Sequence, residues 1–213
     1  MGQILRIMSY DRAANERNAI PGLNLLGNTL KWHRLDDGVM GGQSSTLHQV
    51  ESVDDGDCQQ ILHFTGQINT NGGGFCSIRS PIEGGLPSDT TGIRLSFIGD
   101  GKTYKFLVSD GNKSTFGPSR RSPSWQVDLP TNKQEETRVI SLDSFTPSVI
   151  GGPLDTSVKL NPTEVKEMGF MLSLKLSNGE SNPVETFGSG TFPFSLKIRS
   201  IEVVQASDDT ESR

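Results

Sequence analysis

Cysteine is almost missing from this chain: two residues in 213, Cys58 and Cys76. That excludes a disulfide-stapled scaffold and leaves two reduced thiols. Neither Cys-x-x-Cys nor His-Glu-x-x-His occurs, so the usual zinc spacings are missing as well. No run of about 18 apolar residues is present, which excludes a membrane-spanning helix. Basic blocks are absent; Arg120-Arg121 is the closest approach to one, and the formal net charge is −5. A mildly acidic chain gains nothing by releasing counterions from nucleic acid, so nucleic acid is not an expected partner. The first twenty residues lack the apolar core of a secretory signal, and Asp11 and Glu16 weaken a transit-peptide reading.

Glycine, by contrast, is plentiful at 24 residues. Each glycine inside a helix costs about 1 kcal/mol against alanine, so a helical bundle is a poor fit and a sheet with many turns is a good one. Period-two alternation recurs along the chain, the mark of half-buried strands. It runs through Ile93, Leu95 and Phe97, then Tyr104, Phe106 and Val108, with "GDGK" (99–102) between them; Asp100-Gly101 reads as a hairpin turn. Trp125, Val127 and Leu129 follow, then Val139 to Leu142 leading to Phe145, then Phe170, Leu172, Leu174 and Leu176. Phe194, Leu196 and Ile198 alternate until the phase slips across Arg199-Ser200 to Ile201 and Val203, which predicts a β-bulge. One helix start is convincing: Asn161 caps, Pro162 fills the first position and Gly169 ends it after about two turns. Residues 109–123 and 177–191 read as loops. The expected architecture is an all-β antiparallel sandwich with one short helix. Residues 1–29 form an irregular lead-in, 30–205 a single sandwich domain, and 206–213 a disordered acidic tail.

The motif that most needs an explanation is "DDGVMGGQSS" (36–45). A phosphate cradle needs a lysine and a following helix, and neither is here. "NGGGF" (71–75) lacks dinucleotide spacing, and no Gly-x-Ser-x-Gly elbow exists. His33, His48 and His63 form no ligand pattern, and His63, inside "ILHF", reads as a core or sheet-face residue. Neighbouring carboxylates on a strand point to opposite faces and rarely converge on one atom. Asp36, Asp37, Gly38, Gly41 and Gly42 are therefore read as a structural turn, as are Asp100 and Gly101, with side chains bonding nearby backbone groups. Calcium at the Asp36-Asp37 pair is the competing reading. No catalytic residue, metal or cofactor is assigned. Arg79 is expected to pair with Asp36, Asp37 or Asp100, or to serve as a charged handle for a partner. Trp32 and Trp125 are read as half-buried, and a Trp exposed beside Met40 would instead mark a contact patch.

An ordered series of motifs carries a resemblance: "WHRLDDGVMGGQS" (32–44), "FTGQI" (64–68), "NGGGFCSIRS" (71–80), "GIRLSFIGDGKTYK" (92–105), "FTP" (145–147) and "FPFSLKIRSI" (192–201). It resembles the complex I intermediate-associated protein 30 family over about residues 30 to 204. The resemblance implies a galactose-binding-like jelly roll and a non-enzymatic, chaperone-like role. Its implied partners are protein subunits of the mitochondrial respiratory complex, met on the matrix side of the inner membrane. The "DGVMGG" wording is closer to bacterial and plastid relatives, where photosynthetic-complex biogenesis is the alternative, and a Ser/Pro-rich loop, 117–124, replaces the family's usual basic or aromatic residues around the later strands. The fold alone suggests a carbohydrate-binding module as a further alternative. Within the implied role, Trp32, Met40, Arg79 and Tyr104 are the expected partner-gripping residues.

Overall fold

The computed structural model describes residues 30–53, 59–110, 124–148 and 159–206. Eleven strands lie there: β1 (His33–Arg34), β2 (Ser45–Val53), β3 (Gln59–Asn69), β4 (Phe75–Pro81), β5 (Thr90–Ile98), β6 (Thr103–Ser109), β7 (Ser124–Pro130), β8 (Glu135–Ser141), β9 (Thr146–Ser148), β10 (Glu167–Ser173) and β11 (Thr191–Gln205). They form two sheets, a six-stranded one in the order β1-β4-β10-β6-β7-β9 and a five-stranded one in the order β2-β3-β11-β5-β8. Every pairing is antiparallel. The expected sandwich is what the chain builds.

Most of the alternating residues face inward as their period demands; Val139 is exposed, and Leu174, also exposed, and Leu176 lie beyond the end of β10. Tyr104, Phe106 and Val108 from β6, Met168, Phe170 and Leu172 from β10, Ile93, Leu95 and Phe97 from β5, and Phe194, Leu196 and Ile198 from β11 share one buried cluster. Aromatic contacts lock it: Phe64 meets Phe194 edge-on at 4.9 Å, and Phe106 meets Phe170 in a tilted pair at 5.2 Å between ring centroids. Burying each such ring is worth about 1.5–3 kcal/mol, so this interior dominates the favourable side of folding. The bulge falls where the phase slip predicts it: Ile198 pairs with Phe97, but Ser200 pairs with Ser96, leaving Arg199 as the extra residue.

Three local readings are corrected. The Asp100-Gly101 turn does not close a hairpin, because β5 belongs to the five-stranded sheet and β6 to the six-stranded one. Gly101 takes the left-handed φ of 94° that such a turn requires, but the turn carries the chain from one layer to the other. At 161–169 the cap is real, with Asn161 accepting from the Thr163 N–H, yet only a 3₁₀ turn, Pro162–Glu164, follows. Gly169 lies inside β10, between Arg79 of β4 and Leu107 of β6. The helical turn α1 (Val184–Phe187) sits instead within the expected loop 177–191, anchored by buried Phe187. The lead-in 1–29, most of the loop 109–123, Cys58, Asn112, Arg120, Arg121 and all of the tail except Ala206 lie outside the described residues.

Candidate functional site

After β1 the chain makes a 3₁₀ turn, Asp37–Met40, closed by Gly41 at a left-handed φ of 88°. The Gly42 N–H returns to the Asp37 carbonyl at 3.0 Å. The Asp37 carboxylate is fully buried. It accepts from the Ser44 N–H at 2.9 Å, the Ser44 hydroxyl at 2.6 Å, the Gly74 N–H at 2.6 Å and the Phe75 N–H at 3.3 Å. A Cβ on Gly42 or on Gly73 would overlap that carboxylate. The glycines of "MGGQ" and "NGGGF" therefore make room for one buried anion. Burial alone would raise the Asp37 carboxyl, but hydrogen bonds from the Ser44 hydroxyl and the Gly74, Ser44 and Phe75 N–H groups outweigh it and hold the pKa below the ordinary value.

Asp36 does the matching job two residues further along. It accepts from the Thr46 N–H at 3.0 Å and from the Thr46 hydroxyl. Both aspartates thus serve the start of β2 through a backbone N–H and a hydroxyl each. Three of the four donors to Asp37 converge on Oδ2 and one, the Ser44 N–H, on Oδ1. Among the described residues no group of three or more His, Cys, Asp or Glu is placed to hold a metal.

The four expected gripping residues are not brought together. Met40 stands out from the turn, 67% exposed. Trp32 lies half-buried against Phe170, 6.1 Å between centroids, and its indole N–H is buried without an acceptor among the described residues. Tyr104, expected at a surface, is fully buried; its hydroxyl donates to Asp100 at 2.9 Å, and burial with the Asp100 charge pushes its pKa up. Arg79 pairs with none of Asp36, Asp37 and Asp100. It lies along the outward face of the six-stranded sheet, 9% exposed, donating from Nε to Ser77 at 2.8 Å and from Nη1 to Glu167 at 3.3 Å. Its stem crosses Gly169, where a Cβ would overlap it. Burial lowers its pKa and Glu167 opposes that shift.

The sequence reading also missed residues. Lys105, on the same outward face, is buried and donates from Nζ to Gln126 at 3.0 Å; burial lowers its pKa while the Asp128 charge opposes this. Asp128 itself accepts from the Ser177 N–H at 2.9 Å and hydroxyl at 2.7 Å, repeating the pattern of Asp37 with Ser44. Buried Cys76 is a free thiol whose pKa burial pushes up to about 12, which leaves it unreactive. Ser44 and Thr46 were findable, since residues two apart on a strand share a side and follow two aspartates closely.

Two antiparallel layers, joined by turns whose carboxylates gather main-chain and hydroxyl donors, define a β-sandwich. Solved structures with this fold include the family 11 carbohydrate-binding module of the cellulosomal cellulase Lic26A-Cel5E of Clostridium thermocellum. It is 16% identical, with a TM-score of 0.58, covering 86% of this chain and 93% of that one. The Clostridium thermocellum module in complex with a β-1,3-1,4-mixed-linked tetrasaccharide is similar at 16% identity and TM-score 0.57, covering 86% and 94%. No curated protein matches the chain. The sequence pattern of complex I intermediate-associated protein 30 (CIA30) matches residues 24–198, and the chain belongs to that family.

Proposed function

We propose that this chain is a non-enzymatic assembly factor for respiratory complex I, binding partly assembled subunits on the matrix side of the mitochondrial inner membrane. The family match over residues 24–198 carries the reading. The site fits it chemically: buried Asp37 gathers four donors, Cys76 is sealed in the core, and the turn holds Met40 out in solvent. A large apolar side chain on a rigid support loses little entropy when it is buried against a partner. Met40 is thus the gripping residue, with Trp32 supporting β1 behind it, while Arg79 orders the sheet face. No helix among the described residues is long and apolar enough to cross a membrane, so contact with a membrane complex is assigned to protein subunits. The carbohydrate-binding alternative rests on the fold alone; the Trp32 ring lies against the core and Trp125 inside it. Affinity purification of the tagged chain from mitochondrial membranes tests the reading. Complex I subunits should co-purify, and Met40→Ser should reduce their yield. Recovery of photosynthetic subunits would move the role to the plastid alternative, and recovery of neither would refute the assembly role.

A further inference from the structure

Four strands form the edges of the two sheets: β1 and β9 of one, β2 and β8 of the other. Unpaired edges invite other chains, and proteins blunt them with short length, proline or charge. Three of the four are blunted. β1 has two residues, β9 has three including Pro147, and β8 carries Glu135, Glu136 and Arg138. β2 is the least protected: it is long and carries one carboxylate, Glu51, which stands 3.5 Å from His63 Nε2 of β3. The nine residues of β2, STLHQVESV, contain no proline, lysine or arginine, and its register with β3 runs without a break.

The aspartate pair shows which part of this edge is open. The N–H groups of Ser44 and Thr46 go to Asp37 and Asp36, not to β3. Those main-chain groups therefore point away from the sheet. In an antiparallel strand the outward direction recurs every second residue, so His48 and Val50 point the same way. β2 pairs with β3 alone among the described strands. Asp36 and Asp37 thus cap the first part of the edge and, among the described residues, leave the stretch from Leu47 onward as an open rail. Leu47 (66% exposed) stands on one side of that rail and Val50 (42%) on the other.

We propose that β2 is a strand-addition site, which receives an extended segment of another protein antiparallel to residues 47–51. His48 and Val50 exchange main-chain hydrogen bonds with that segment. Side-chain recognition follows from the register. The residue opposite Glu51 is basic, its C-terminal neighbour opposite Val50 is apolar, and the residue three further on, opposite Leu47, is apolar. The spacing is basic-apolar-x-x-apolar. Charge selects a foreign segment over a second copy, because the chain carries −5 overall and β2 has no lysine or arginine to set against Glu51. The site goes beyond the assembly role and stands whether or not complex I is the client.

The probe is a labelled eight-residue peptide, Thr-Lys-Val-Thr-Thr-Val-Thr-Thr, titrated with the full chain and followed by fluorescence anisotropy. Saturable binding is expected, weakened roughly tenfold when the lysine is replaced by glutamate. Val50→Pro removes an outward donor without touching the β3 ladder and should weaken binding by roughly tenfold. Leu47→Lys, which sets a cation against the peptide and leaves every backbone bond intact, is the second variant and should also weaken it. Val139→Lys, on the opposite edge, should bind as wild type. Absence of saturable binding to the wild-type chain would overturn the proposal, as would unchanged affinity in both β2 variants. So would sedimentation showing a dimer that Leu47→Lys dissociates, since the edge would then belong to a second copy.

Discussion

Two turns rich in aspartate and glycine solve different problems. The first, around Asp37, is sealed: four donors converge on a fully buried carboxylate. The second, around Asp100, stays partly open. Asp100 accepts from the Tyr104 hydroxyl at 2.9 Å, the Ser195 N–H at 3.1 Å and the Lys102 N–H at 3.3 Å, and the Lys102 ammonium stands 3.8 Å away. Asp37 gathers two glycine loops and the start of β2 into one corner. Asp100 guides the chain from one sheet to the other and ties that crossing to β11. In both, glycine supplies geometry and the carboxylate gathers main-chain donors, and what separates the two is access to water.

That difference ranks the consequences of losing each carboxylate. Asp37→Ala strands three buried N–H groups and a hydroxyl, each costing about 1–3 kcal/mol, and water entering the gap recovers part of it. A net loss of about 3 kcal/mol is expected from the urea midpoint, the largest effect at any turn of this molecule. An equal loss from Asp100→Ala would erase the contrast.

Much of this was legible in the chain. Alternating residues such as Phe194, Leu196 and Ile198 located strands because one sheet face must be apolar, and the slip at Arg199 located the bulge. What escaped was the choice between layers. "GDGK" signals a change of direction, but the turn chemistry is indifferent to which sheet takes the next strand, and so the hairpin reading failed. Arg79 was assigned the wrong carboxylate for a related reason. Its partner Glu167 is 88 positions away and becomes a neighbour only through the β4–β10 register. The short helix was misplaced because the cap at Asn161 is local, while the strand at Glu167–Ser173 is imposed by two flanking strands. Asp36 and Asp37 were read as binding nearby backbone; the Gly74 and Phe75 donors to Asp37, and the place of both aspartates at a sheet edge, required the strand pairing.

Acid sharpens the comparison next. Asp37 has a folded-state pKa below its unfolded value, so ionisation favours the folded state. Its contribution is fully present above the ordinary carboxylate range, about pH 4, and is lost as pH falls through the depressed folded-state pKa. Stability of the wild-type chain should therefore drop as pH falls below about 4, with a component missing from Asp37→Asn. Urea titrations of both proteins across that range read it directly, and parallel curves would mean that the corner holds without the charge.

Asp100→Ala should cost less, about 1–1.5 kcal/mol, because the Asp100 side chain is itself partly exposed and water can enter the space it leaves. The arch must still cross between sheets, and Gly101 keeps the φ that lets it do so. The loss should be confined to the crossing: hydrogen exchange should quicken at Ser195 and Lys102 while Ser44 and Gly74 keep their protection. Faster exchange at the Asp37 corner as well would show that the two turns are coupled through the core.

The smallest expected effect is at Met40, which the sealed turn holds in solvent. Met40→Ser removes no buried contact and no hydrogen bond, so the melting temperature should barely move, with a change below about 0.5 kcal/mol. A rigid corner with its apolar residue facing out gains nothing from that residue when the chain is alone, and so the value of Met40 lies in what covers it. If Met40→Ser instead destabilised the isolated chain by as much as Asp100→Ala, Met40 would belong to the architecture of the corner, and the gripping role would pass to the open edge of β2.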